Sequence, residues 1–185
     1  MKALLQLFWQ ILCFKRGPED VPYARNLLWL LIVINLTISI TCQAIGRPSQ
    51  FNIAVTLPII ALCVEALFVF SLLRLKQLSN RFTQTLITIL GVDSLLTLAT
   101  IPLLILGFQM IGQTPLLKFL GLLEVILLGW SIAIRAFIYH RALNVGLLLG
   151  NLIALMILLL TLSINVKVFP ELLEQAKAAA SQSSR

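Results

Sequence analysis

TQTLITILGVDSLLTLATIPLLILGF, residues Thr83 to Phe108, is apolar over a length that crosses a bilayer, and it carries a single acid, Asp93, near its middle. A hydrocarbon core of roughly 30 Å takes about twenty helical residues at 1.5 Å each. The stretch therefore reads as a membrane span rather than as the core helix of a soluble domain. A carboxylate at that depth must find a counter-charge, take up a proton or face water, because an unpaired charge in hydrocarbon is costly.

The chain on either side has the same character. Of its 185 residues, 59% are hydrophobic and only 11% charged, and the mean hydropathy is +1.01. Soluble domains are about half apolar and roughly one quarter charged. The excess is gathered in blocks of span length. This predicts an all-α polytopic membrane protein of five transmembrane helices, preceded by a short interfacial amphipathic helix. The spans fall at about 26–46, 51–73, 82–108, 116–139 and 142–168, making one transmembrane domain over 26–168. The interfacial helix occupies 1–17. A short tail follows over 169–185, in which PELLEQAKAAA from Pro170 reads as a helix.

In the first segment, MKALLQLFWQILCF, Lys2, Gln6 and Gln10 recur at i, i+4 spacing. A helix with that pattern lies in the membrane surface, glutamines outward and Phe8 and Trp9 inserted. The residues that follow, KRGPED, offer no small-residue cleavage site, which argues against a signal peptide.

The net charge of +7 is placed by the loops. Lys2, Lys15, Arg16, Arg25, Arg74, Lys76, Arg81, Arg135 and Arg141 fall on the side of the N-terminus. Arg47, Lys118, Lys167, Lys177 and Arg185 fall on the other. Basic residues mark cytoplasmic loops. The expected orientation has the N-terminus cytoplasmic and the C-terminus outside, in the cell (inner) membrane if the source is bacterial. The basic rim implies the bilayer itself, with anionic lipids on the cytoplasmic side, as a partner. It does not imply nucleic acid, since no basic run or aromatic–basic platform occurs.

Polar groups inside spans each need a reason. Glu65 lies nine residues before Arg74, and Asp93 eleven residues after Phe82. At helical rise both sit roughly 15 Å from the same edge. In the fourth span Gly121, Glu124, Leu128, Ser131 and Arg135 share a stripe, and Arg135 can reach Asp93 or Glu65. Asp93, Thr97 and Thr100 share a face of the third span. The first span offers Asn35, Ser39 and Cys42, and the fifth Asn144 and Asn151. Glu65, Asp93, Glu124 and Arg135 are thus the candidate polar site. They act either as packing contacts worth about 0.6 kcal/mol each, or as a path for protons, a cation or a lipid head group. Pro58 and Pro102 can bend their helices. Gly146 and Gly150 form a GxxxG, which permits close helix approach. Tyr139 is placed for an aromatic belt at the interface.

Catalytic signatures are lacking. The single His140 cannot form a two-histidine metal motif, and Cys13, Cys42 and Cys63 are scattered. Gly91-Val92-Asp93 matches part of an intramembrane aspartyl protease motif, without its second glycine or a second motif. No catalytic residue, metal or cofactor is implied.

The stretches RFTQTLITILGVDSLLTLATIP (Arg81–Pro102) and LLEVILLGWSIAIRAFIYHRALN (Leu123–Asn144) resemble the Yip family, the five-span membrane proteins that interact with Rab GTPases, and its bacterial relatives. The resemblance lies in a third span ending near a proline and in a fourth-span tryptophan followed by a basic turn into an Ala-Leu-rich fifth. It implies a five-span topology and no catalytic residues. The hydrophilic N-terminal region of the eukaryotic members has only the short interfacial segment in its place, so a GTPase-binding role is not carried over. The functional expectation is a non-enzymatic accessory or scaffold subunit of a membrane complex, or a membrane-organising protein, with a membrane-protein partner or a second copy of itself. The alternative is a small oligomeric transporter, or an ion- or proton-conducting protein, that uses the intramembrane acids.

Overall fold

Long apolar blocks leave the backbone no partner but itself, and helix is the structure that satisfies it. In a computed structural model, which describes residues 2–47, 50–109 and 114–171, the described residues are helical with no strand. The helices are α1 (Lys2–Leu12), α2 (Arg25–Gly46), α3 (Phe51–Leu75), α4 (Phe82–Gln109), α5 (Thr114–Leu143) and α6 (Leu147–Val168). The last five are each long and apolar enough to cross a membrane. The all-α polytopic class is as expected. The loop around Gly112 and the tail helix beyond Glu171 lie outside the described residues.

The five spans close a ring. α2 packs on α4, α4 on α5, α5 on α6, α6 on α3, and α3 returns to α2. A ring of five leaves a centre that side chains must fill, and the two ends fill it differently. At the end bearing the α3–α4 and α5–α6 connectors, Leu73, Ile87, Leu90, Ile134, Ile138 and Leu143 are all at most 4% exposed and form one apolar core. Towards the other end the described residues leave a cavity at the centre.

Three helices stop at the packed end by the same device. The residue after the last turn takes a left-handed conformation, at Phe14 (φ 58°), Gln77 (φ 57°) and Asn144 (φ 50°). The next amide then donates to the carbonyl five residues back, in Lys15 N to Gln10 O, Leu78 N to Leu73 O and Val145 N to His140 O. Asn144 tolerates this geometry best of the three. The α5–α6 turn accordingly lies at Asn144–Gly146 and not at His140-Arg141. α5 runs on to Leu143, and α6 starts at Leu147 rather than Ala142.

α1 does more than lie on a surface. Its Leu7, Phe8, Ile11 and Leu12 are buried, and it packs along α4. A Cβ placed on Gly91 would lie 2.5 Å from the Phe8 ring, so only glycine admits the ring there. Gly91 is nine residues into α4, about 13 Å along the helix. Phe8 therefore inserts into the bundle, whereas Trp9 stays 64% exposed. A 3-10 turn at Pro18–Asp20 follows. It is tied down by Gln84 Nε2 donating to Val21 O at 2.9 Å and by Arg141 Nη1 donating to Glu19 Oε1 at 3.0 Å.

Candidate functional site

The open centre is a cavity of about 530 Å³ to which all five spans contribute. Its walls are polar at Asn35, Ser39, Cys42 and Gln43 of α2, at Thr97 and Thr100 of α4, at Glu124 and Ser131 of α5, and at Asn165 of α6. Glu65, Asp93 and Arg135 form its floor, against the packed apolar core. The cavity reaches Gln43 and Asn165, each three residues from the end of its helix.

The floor is one charge cluster built from three helices. Arg135 Nη1 donates to Glu65 Oε1 at 2.5 Å, and its Nη2 donates to Asp93 Oδ2 at 2.6 Å. The guanidinium fork, two nitrogens fixed in one plane, makes a single residue able to hold two carboxylates on different helices. Tyr139, one turn on from Arg135 and on the same face of α5, donates to Glu65 Oε1 at 2.8 Å. Glu65 thus takes two donors and is nearly enclosed. The cluster is nonetheless reachable from the cavity: the side chains of Arg135 and Asp93 keep 26% and 17% of their surface accessible.

The polar wall is arranged helix by helix. Asn35 of α2 is buried and donates to Ser94 Oγ at 3.3 Å and to Leu90 O at 3.4 Å of α4. Higher up, the Cys42 thiol meets Thr100 Oγ1 at 3.9 Å, while Thr100 itself donates back to Thr97 O. These contacts explain how α2 and α4 pack through polar faces. They also leave acceptors unclaimed. Asn165 Oδ1 is buried with no partner among the described residues. No hydrogen bond among the described residues reaches Glu65 Oε2 or Asp93 Oδ1.

The candidate residues divide. Glu65, Asp93 and Arg135 meet. Glu124 lines the same cavity but is exposed and joins no ion pair among the described residues. Of the GxxxG pair only Gly150 is a contact. A Cβ there would lie 2.5 Å from Ala136 O of α5, whereas a Cβ on Gly146 would meet nothing within 4 Å.

Several placements differ from the sequence reading. Tyr139 is 1% exposed and belongs to the floor, not to an interfacial belt. Asn144 makes the α5–α6 turn and Asn151 is exposed, so neither supplies α6 with an inward polar face. Asn165 takes that role. Its spacing from Ile157 and Ala154, two buried α6 residues, was the available signal. His140 bonds through Nδ1 to Val145 O at the α5–α6 turn, away from the cavity.

The described residues hold no group of three His, Cys, Asp or Glu side chains able to take a metal ion. Compared with family models, with curated proteins and with solved structures, the chain matches none.

Proposed function

We propose that this integral membrane protein is a small non-enzymatic carrier whose central cavity binds a compact cationic solute. One observation carries the reading: the cavity presents three carboxyls, Glu65, Asp93 and Glu124, against one guanidinium, Arg135. Arg135 offsets one unit of charge, and the rest favours a cation entering from the open end. The unclaimed acceptors on the cavity wall point the same way, because a protonated amine or a partly hydrated metal cation supplies the donors or Lewis acidity that Asn165 Oδ1 and Asp93 Oδ1 lack. The apolar core below the floor supports access from one end.

Binding suits the chemistry better than catalysis does. Both carboxyls at the floor are engaged by Arg135 rather than by a nucleophile, and Cys42 is engaged by Thr100. With the base-rich connectors cytoplasmic, the cavity opens outward from the cell membrane. The Yip resemblance agrees with this topology, and membership of that family is part of the proposal.

The test is uptake by proteoliposomes of the purified protein under an imposed membrane potential, with protons, alkali cations and small primary amines offered in turn. Uptake of one class, lost in Asp93→Asn, supports the carrier. A parent protein that neither binds nor moves any of them sinks it.

A second reading, an accessory subunit or homo-oligomer, is favoured by Glu124. It stands ten residues into α5 and is exposed. A carboxylate at that level is covered by a neighbouring chain if water does not reach it. A single-chain mass in mild detergent and in nanodiscs would exclude the oligomer.

A further inference from the structure

A second polar cavity, of about 200 Å³, lies at the packed end between α4, α5 and the Pro18–Asp20 turn. Arg81, just before α4, and Gln84 and Thr85, in its first turn, line it together with Arg141 from the last turn of α5 and Glu19 from the Pro18–Asp20 turn. It presents two guanidiniums and one carboxylate. Only Arg141 meets that carboxylate, and both partners are about half exposed, at 47% and 49% of their side chains, so the pair is weak. Arg81 makes no salt bridge among the described residues. Guanidiniums so placed suit a tetrahedral oxyanion, which each can grip through two N–H groups.

What the oxyanion is attached to follows from the neighbouring surface. The Arg141 guanidinium carbon lies 5.5 Å from the centre of the Phe137 ring. Phe137 in turn lines an apolar groove of about 440 Å³ on the flank of α5 and α6. Gly129, Ala133 and Ala136, small residues one turn apart, hollow the groove out, and Phe14 and Leu155 wall it. The cationic pocket at the level of the span ends and the apolar groove, which runs towards mid-span, thus lie on either side of the Arg141–Phe137 contact. A single phosphate ion fills the first and leaves the second empty. A phospholipid fills both.

We infer that Arg81 and Arg141 hold the phosphate of an anionic phospholipid whose acyl chain lies in the Phe137–Ala133 groove, with Glu19 occupying the phosphate position when the site is vacant. The carboxylate is an internal stand-in for the ligand. Removing its charge strengthens binding, whereas removing the arginines abolishes it. This site is separate from the central cavity and does not depend on the carrier reading.

The test is native mass spectrometry of the full-length protein in mild detergent, titrated with phosphatidylglycerol, with phosphatidylcholine and with inorganic phosphate. The parent retains one phosphatidylglycerol per chain in preference to phosphatidylcholine. Arg81→Gln with Arg141→Gln weakens retention by about thirtyfold, taking each base near the surface as roughly a fivefold effect. Glu19→Gln strengthens it about fivefold on the same scale. Ala133→Leu, which fills an exposed groove without entering the core, also weakens it. Retention unchanged in the double arginine variant, or displacement of the lipid by an equal concentration of inorganic phosphate, overturns the assignment. The gain expected in Glu19→Gln keeps the test decisive if the double variant does not fold.

Discussion

Arg135 and Asp93 face each other across α5 and α4, Nη2 to Oδ2 at 2.6 Å, while the same guanidinium holds Glu65 of α3 through its other nitrogen. Three consecutive helices are thereby fixed at one level. The geometry decides whether two acids at equal depth repel or cooperate: they do not meet directly, because the cation stands between them.

Removing that cation strands two carboxyls. Breaking a buried ion pair by deleting one partner costs roughly 3–5 kcal/mol. Arg135→Leu is expected to fall in that range in denaturant unfolding of the detergent-solubilised protein. Adding Asp93→Asn to Arg135→Leu should recover part of the loss, since one stranded charge is removed. A double-mutant cycle reads this as a coupling of about 0.5–3 kcal/mol. Strict additivity of the two substitutions would show that the pair does not interact.

Tyr139→Phe keeps the ring and removes only the donor to Glu65. A hydrogen bond to a charged group is worth about 1.5–3 kcal/mol. The same unfolding assay should register a loss of that order. A neutral substitution would place the hydroxyl elsewhere.

Gly150 and Gly146 should separate sharply. Gly150→Leu drives a side chain into the α5 backbone at Ala136 O, and overpacking of this kind costs about 1–3 kcal/mol. Gly146 has φ −62° and ψ 151°, which any residue adopts, and Gly146→Ala should change stability by no more than about 0.5 kcal/mol. Equal effects at the two sites would contradict the contact assigned to Gly150.

Phe8→Ala and Gly91→Leu should release α1 in the same way, one by emptying the Gly91 notch and the other by filling it. Limited trypsin digestion at Lys15 and Arg16 reports this, with faster cleavage expected in both variants. Cleavage at the parent rate in both would mean that Phe8 does not hold the segment.

Much of this arrangement was legible in the chain itself. Five apolar blocks dictate five spans, and counting residues from the basic connectors put Glu65 and Asp93 at one depth, with Arg135 in reach. Tyr139 was misjudged because aromatic residues near span ends serve the interface by default. Its i+4 relation to Arg135 was the stronger signal, since it places the hydroxyl on the same inward face. The α5–α6 boundary was misplaced because His140 and Arg141 look like a loop, whereas both lie in the last turn of α5 and Asn144 supplies the left-handed residue. The docking of α1 was not readable. Amphipathicity says that a face is buried, not whether lipid or protein buries it, and Gly91 becomes a notch only when Phe8 is set against it. Glu124 shares the stripe of Arg135 but stands eleven residues away, roughly 16 Å along the helix, so it lines the cavity without joining the cluster.

The central claim is a polar cavity open at one end and closed beneath the Arg135 cluster. Cysteine accessibility tests it most directly, in a protein whose Cys13, Cys42 and Cys63 are replaced. A small charged, membrane-impermeant thiol reagent is applied separately to each face of sealed vesicles. Thr97→Cys, on the cavity wall, should react from the face bearing the α2–α3 connector, and Ile87→Cys, 0% exposed in the packed half, should not react. An unreactive Thr97→Cys, or reaction of both positions from one face, would contradict it.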